Sequence, residues 1–236
     1  MKVVAVISAR MASKRFPGKV MAKILGRPIL SLLIERVKMA RYLDEIVVAT
    51  TTNAEDDVVA DLAKQESVKT FRGSETDVLG RILVAVKECG GDIVVRLTGD
   101  NPLTDPAYID KGIKLFLSGR YDYVANDNIE LTMPRGMDVE VFSVNNLDKI
   151  NRITKNTDDR EHVTRFFYQH PKMFRLKAFG PDNKISIANL HLAVDTKQDL
   201  EFVREIFEEI YPKNSNFGYQ AIINFLNKVH KLKLTS

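Results

Sequence analysis

The sequence predicts an α/β domain built on a mixed, mainly parallel central sheet, and two patterns carry that reading. Short, mainly apolar runs rich in β-branched residues recur at residues 3–7, 46–49, 68–71 and 93–97, as strands covered on both faces require. Between and after them lie residues 29–40, 55–65, 78–87 and 108–117, where apolar side chains return every three or four positions, the period of a helix with one buried face. Strand and helix in alternation build parallel βαβ units.

Beyond residue 117 the rhythm changes. Residues 121–125 read as another strand, the stretch NDNIELTMPRG as polar and turn-rich, and residues 137–142 as a return to strand. Residues 158–170 read as helix, 174–178 as extended, and 196–210 as a helix that Asp195 or Thr196 can cap. A closing helix is expected at 219–229. No internal repeat, low-complexity tract or linker divides the chain, so residues 1–236 read as one domain.

Composition narrows the function classes. The chain is long enough for one substantial core, with 44% hydrophobic and 28% charged residues. Its 35 basic and 31 acidic residues leave a net charge of +4 but are interspersed. With neither an aromatic-rich RNA-reading strand nor a basic helical stripe, no nucleic-acid partner is expected. No window approaches the roughly eighteen unbroken apolar residues of a membrane span, and the start lacks a cleavable signal pattern, so a cytoplasmic protein with no membrane partner is expected. The single cysteine, Cys89, cannot form an internal disulfide and reads as a packed helix end without a catalytic role. The basic end, with His230, Lys231 and Lys233, reads as a solvated tail.

The most informative segment follows the first strand. In an open α/β sheet the ligand crevice lies beyond the carboxyl ends of the strands, and there Arg10, Ser13, Lys14, Arg15 and Lys19 fall within ten positions. Arginine forks and mobile lysines together can neutralise a triphosphate. Gly18, after Pro17, allows close approach of backbone to phosphate. The loop is neither a P-loop nor a dinucleotide fingerprint, which weakens ATPase and dehydrogenase readings.

A triphosphate needs a cation, and Mg²⁺ takes one or two protein carboxylates together with water and phosphate oxygens. Asp100, in RLTGDNPL, and Asp195, in HLAVDTKQDL, both close apolar runs. Each also has a plain structural use, as a turn residue before Pro102 and as a helix cap. Joined to the basic loop, they supply what an in-line phosphoryl displacement requires.

The runs RMASKRFPGK, RLTGDNPL, PRGMDVEVF, REHVT and VDT resemble, in order, the motifs of the cytidylyltransferases that activate sialic acids and 3-deoxy-manno-octulosonic acid. The subgroup they most resemble is that of spore coat polysaccharide biosynthesis protein F. The resemblance spans residues 1–200 or so and implies a nucleotide-diphospho-sugar transferase fold, Rossmann-like in its first half, with CTP and Mg²⁺ as substrate and cation. It implies nucleotide contacts at Ala9, Arg10, Ser13, Arg15, Lys19, Arg72, Thr98 and Asp100. Metal ligation falls to Asp100 and Asp195, and these two with Arg10 and Lys19 form the catalytic set. The family often carries glutamine where this chain has Thr98, so acceptor recognition is expected to differ.

Acceptor contacts are sought where hydrogen-bonding side chains concentrate outside the nucleotide loop: Arg135, Asp138, Glu140, Arg160 and His162. An arginine pair suits an anionic, sugar-like acceptor. Asp138 and Glu140 alternate with Val139 and Val141 and equally fit the exposed face of a strand, and His162 equally fits a packed helix histidine. Residues 126–165 are thus expected to bind the acceptor and, since related enzymes are dimeric, to form a homodimer contact. The group that deprotonates the acceptor stays open between a metal-bound hydroxide and a carboxylate. Three other readings stand beside cytidylyl transfer: a catalytically silent sugar-nucleotide-binding protein, a transferase using another nucleoside triphosphate, and a glycosyltransferase.

Overall fold

Strand β1 (Val3–Ser8) forms because VVAVIS is dominated by β-branched residues, and its two faces are buried almost to its end. In this computed structural model, which describes residues 1–181 and 190–230, a loop leads from β1 to a hairpin of β2 (Lys23–Ile24) and β3 (Arg27–Pro28) and on to α1 (Ile29–Val37). The alternating half continues with β4 (Glu45–Thr51), α2 (Asp57–Gln65), β5 (Lys69–Gly73), α3 (Val78–Glu88), β6 (Ile93–Thr98) and α4 (Pro106–Leu117). Next come β7 (Tyr123–Ala125), β8 (Glu140–Ser143), α5 (Val144–Ile153), α6 (Thr157–His162), α7 (Arg165–Gln169) and β9 (Leu176–Ala178). Helices α8 (Lys197–Ile210) and α9 (Tyr219–His230) close the described chain. The tail residues Lys231 and Lys233, and the side chain of His230, lie outside the described residues.

The strands order as β5-β4-β1-β6-β8-β7-β9 in one seven-stranded sheet. Only β8 runs against its neighbours β6 and β7; the other pairings are parallel. The expected mixed, mainly parallel sheet is therefore what forms. After β1 the chain builds outward through β4 and β5, then returns to lay β6 on the other side of β1. That reversal opens a crevice at the carboxyl ends of β1 and β6, whose register sets Ser8 beside Thr98.

Alternation along β1 feeds two cores. Val3, Ala5 and Ile7 pack toward α1, α2 and α4 with Leu30, Val59 and Ile109. Val4 and Val6 pack toward α3, α5 and α7 with Ile82, Leu147 and Phe167. A third core joins the hairpin and the outer face of α1 to α8 and α9 through Ile24, Leu32, Phe207 and Ile222. Cys89 is buried at the end of α3, the packed position expected of it.

Four elements differ from the expectation. The helix expected over 158–170 breaks at Val163, whose φ of 56° and ψ of −63° close a tight turn from Thr164 N–H back to the His162 carbonyl. Strand β8 starts only at Glu140, three residues later than its pattern suggests. Helix α5 was not anticipated, although Ser143 caps it and Val144, Leu147 and Ile150 bury one face at three-residue spacing. Nor was the β2–β3 hairpin, which is too short for a periodic signal.

Candidate active site

The ends of β1 and β6 run almost in contact. Gly99 N–H donates to the Ser8 carbonyl at 2.8 Å, and a Cβ on Gly99 would lie only 2.8 Å from that of Ala9. The loop after β1 folds back on itself through Gly18 N–H donating to the Met11 carbonyl at 2.8 Å. It is anchored by Asp56, a buried carboxylate that accepts from Met11 N–H at 2.6 Å and from the Thr51 hydroxyl. Thus held, the loop carries Arg10, Ser13, Lys14, Arg15 and Lys19 along one wall of a cavity of about 460 Å³. Ala9, Thr98, Asp100 and Asp195 line the same cavity, as do Arg81, Glu161 and His162.

Asp100 and Asp195 come together because Val194 N–H donates to the Asp100 carbonyl at 2.9 Å, laying the strand-like run before α8 beside the end of β6. Lys19 Nζ reaches both carboxylates, at 2.5 Å from Asp100 and 2.9 Å from Asp195. Arg15 meets the second Asp195 oxygen at 2.8 Å, and His191 stands 3.4 Å from it. Burial alone would lower the Lys19 pKa, but the charges and hydrogen bonds of Asp100 and Asp195 outweigh it and hold the ammonium above its ordinary value. Burial would likewise raise Asp195, and Lys19 with Arg15 reverses that, holding the carboxyl below its usual range. Asp195 does not cap α8. Thr196 does, in a capping box with Asp199, which leaves the Asp195 carboxylate free for the cavity.

A second cavity, of about 610 Å³, adjoins the first and shares Thr98, Asp100 and Asp195 with it. Asn101, Asp127, Arg135, Asp138 and His191 stand around it. Its wall depends on Gly136, whose φ is +97° and where a Cβ would lie 2.1 Å from the Ala193 nitrogen. No larger residue lets the PRGMD loop lie so close to the chain that carries Asp195. Leu192 N–H then donates to the Arg135 carbonyl at 2.7 Å, fastening the two segments.

Several expected contacts fall elsewhere, each for a physical reason. Glu140 is buried, at 2% exposure, and its carboxylate is spent on Arg96, Tyr123, Asn128 and Thr164; it faces the interior, not an acceptor. Arg160 is consumed by Asp77 at 2.6 Å and by Asn151 at 2.9 Å, tying α6 to the start of α3. His162 lines the first cavity rather than the second. Arg72 lies outside both cavities, its guanidinium bonded to the Thr51 and Asn53 carbonyls and to Asp57.

Sequence reasoning passed over Arg81, Asn101, Asp127 and His191. Arg81 carried a signal: it is a charged residue on the apolar face of α3, 4% exposed, and burial followed by the charge of Arg10 lowers its pKa to about 10. Asn101 and Asp127 sit in turn-rich runs where many polar residues look alike.

Comparison with known proteins places the chain in a family. The family model described as "Cytidylyltransferase" matches residues 4–234. An uncharacterised protein of Methanocaldococcus jannaschii is 39% identical over 236 residues, covering 99% of this chain and 93% of its own length. Spore coat polysaccharide biosynthesis protein SpsF of Bacillus subtilis is 30% identical over 231 residues, covering 96% and 94%. The solved structure of a cytidylyltransferase from Leptospira borgpetersenii superimposes with a TM-score of 0.92 at 32% identity, covering 100% of this chain and 98% of that one.

Proposed function

Because the chain belongs to the cytidylyltransferase family, we propose that its two adjoining cavities hold CTP and a sugar or sugar-acid acceptor on opposite sides of Asp100 and Asp195. The enzyme transfers CMP from CTP to an acceptor hydroxyl and releases pyrophosphate, in the biosynthesis of a surface polysaccharide or glycoconjugate. The observation that carries the arrangement is the sharing of Asp100 and Asp195 by both cavities. An in-line displacement needs the nucleophile and the leaving group on opposite faces of one phosphorus.

In this reading Arg10, Ser13, Arg15 and Lys19 cradle the triphosphate, and Ala9 and Thr98 border it. Their positive charge offsets what accumulates on the departing pyrophosphate. Arg135 and Asp138 face the acceptor. Two carboxylates that converge on one cation, here the Lys19 ammonium, form a donor set that suits Mg²⁺, with its remaining positions left to water and phosphate oxygens. Bound by Asp100 and Asp195, Mg²⁺ would supply Lewis-acid polarisation of the α-phosphate. Lys19 is then free to turn toward the phosphates, and the chain's remaining task is positioning.

The test is pyrophosphate release with each of the four nucleoside triphosphates and Mg²⁺, against a panel of 3-deoxy-2-keto sugar acids and other sugars, with Asp100→Asn as control. Release that requires CTP, an acceptor and Asp100 is expected. CTP binding without release from any acceptor would instead favour a silent binding protein.

The reading extends to a homodimer formed through residues 126–165, where Leu131 and Ile153 stand 39% and 48% exposed. It also places the enzyme's work in the cytoplasm, where nucleoside triphosphates are available. Sedimentation across a dilution series checks the first point, with a monomer at all concentrations as the contrary result. No described helix is long and apolar enough to cross a membrane.

A further inference from the structure

We propose that Asp138, paired with Asp127, is the base that takes the proton from the acceptor hydroxyl. The inference rests on the transferase reading above and names the one group which that reading leaves open.

The pairing is built by Asn126, which is fully buried at the end of β7. Its side-chain oxygen accepts from Val139 N–H at 2.7 Å, and its side-chain nitrogen donates to the Met137 carbonyl at 2.9 Å. Asp127 follows the clamp on one segment and Asp138 lies between its two grips on the other, so the two carboxyls face the same space. Asn101, 1% exposed and next to Asp100, donates to Asp138 Oδ2 at 3.0 Å and fixes the carboxylate plane. Asp138 Oδ1 is buried and finds no hydrogen-bond partner among the described residues. It belongs to a residue on the wall of the cavity that also bears Asp100 and Asp195. A buried acceptor oxygen with unspent lone pairs is costly to keep, and a proton shared with Asp127 would relieve that cost.

The surrounding charges suit the role. Asp127 and Glu140 act on Asp138 as negative neighbours, while Arg135 and His191 stand on the same cavity. Arg96, the remaining cation near it, is committed to Glu140. Burial first, and then the charges of Asp127 and Glu140, push Asp138 up to about 7. Burial likewise raises Asp127, which hydrogen-bonds to Asp138. Two such carboxyls hold one proton between them and titrate as a pair. An ordinary aspartate would be too weak a base at neutral pH, whereas one that titrates near neutrality is matched to the task.

The step balances without a further reagent. The acceptor O–H bond breaks and its proton passes to Asp138. The oxygen forms its bond to the α-phosphorus, and the bond from that phosphorus to the bridging oxygen breaks, so that pyrophosphate leaves with the electron pair. Asp138 returns its proton to water before the next turnover.

Two measurements on the full chain test the proposal. Carbon NMR of aspartate-labelled protein should contain a carboxyl resonance that titrates near 7, is absent in Asp138→Asn, and moves toward the ordinary carboxylate range in Asp127→Asn. With the acceptor found by the pyrophosphate screen, kcat of the native enzyme should climb with pH and level off above about 7. Asp138→Asn should lose about 100-fold or more of kcat and the climb itself, with the dissociation constant for CTP unchanged. Asp127→Asn should shift the climb to lower pH, which a merely structural role would not do. An Asp138 resonance titrating below about pH 5, or an Asp138→Asn enzyme that keeps the native pH profile, overturns the proposal. Absence of pyrophosphate release with every acceptor, while the carboxyl still titrates near 7, removes the transferase reading and the base with it.

Discussion

The ammonium of Lys19 lies 2.9 Å from Oδ1 of Asp195, across 176 residues of chain. The same nitrogen touches Asp100, so one positive charge from the loop after β1 binds together the ends of two separate segments. Half-buried carboxylates brought this close repel one another, and a cation between them removes the conflict. Here that cation is the lysine.

Replacing Lys19 by methionine is therefore expected to act on two ligands in opposite directions. CTP should bind about 10- to 100-fold more weakly, the worth of a charge-assisted hydrogen bond to phosphate. Mn²⁺ added without nucleotide should bind more tightly, because its competitor is gone. Calorimetry for CTP and electron paramagnetic resonance for free Mn²⁺ check the two halves, and unchanged CTP affinity would contradict the assignment of Lys19.

Removal of the proposed metal ligands should abolish turnover without unfolding the protein. Asp100→Asn and Asp195→Asn are each expected to lower kcat by about 100-fold or more. A chelator should stop pyrophosphate release from the native enzyme, and Mg²⁺ should restore it. Turnover that persists in a chelator would count against the cation.

Asp138 also carries a stability signature whose sign follows from its environment. Its folded pKa, about 7, lies above the ordinary 3.8, so between those limits the native state holds more proton than the unfolded chain. Stability contributed by the protonated carboxyl is lost as pH rises through that window. Asp138→Asn should consequently gain on the order of 4 kcal/mol at about pH 8 and nothing near pH 4. Thermal unfolding at both values reads the difference. A variant less stable than the native chain at the higher pH would mean that the carboxylate is not under strain.

Glu140 separates structure from acceptor binding. Truncation to alanine strands Arg96 in a buried setting and is expected to cost about 3–5 kcal/mol. Glu140→Gln, which keeps the hydrogen bonds of Tyr123 and Thr164, should cost less and leave the acceptor KM near native. Arg72→Ala should likewise leave CTP affinity within about twofold, since its guanidinium is occupied outside the cavities. Denaturant melts paired with KM measurements distinguish these outcomes.

The route from sequence to site is clearest at β1 and β6. Their mainly apolar runs announce buried parallel strands, and a polar residue just past the end of such a strand must lie at the carboxyl edge of the sheet. Arg10, Lys19 and Asp100 were placed by that rule, and the cavity gathers all three. Asp195 was reached in the same way, and Thr196 proved to be the cap that competed with it.

The rule fails beyond residue 125, where the chain is irregular and side-chain direction is no longer periodic. Asp138 and Glu140 share the parity of one strand face, so a strand starting at residue 137 would give them a common fate. Because β8 begins only at Glu140, Asp138 stays on a loop that turns it to the cavity, while Glu140 enters the sheet and meets Arg96 on the neighbouring strand. Arg160 and Arg72 looked like free basic groups because their partners, Asp77 and Asp57, are recognisable only once α3 and α2 are packed.

What the sequence by itself determined is the alternation of strands and helices up to residue 117, the sheet's crevice and the charged residues after β1 and β6 that reach it, because strand and helix periods and strand ends are local properties. Only the tertiary structure decided which polar side chains are spent on one another and which remain for ligands. That choice depends on contacts between distant segments, as when Gly136 lets one loop lie against Ala193 and brings Asp138 into the cavity that Asp195 lines.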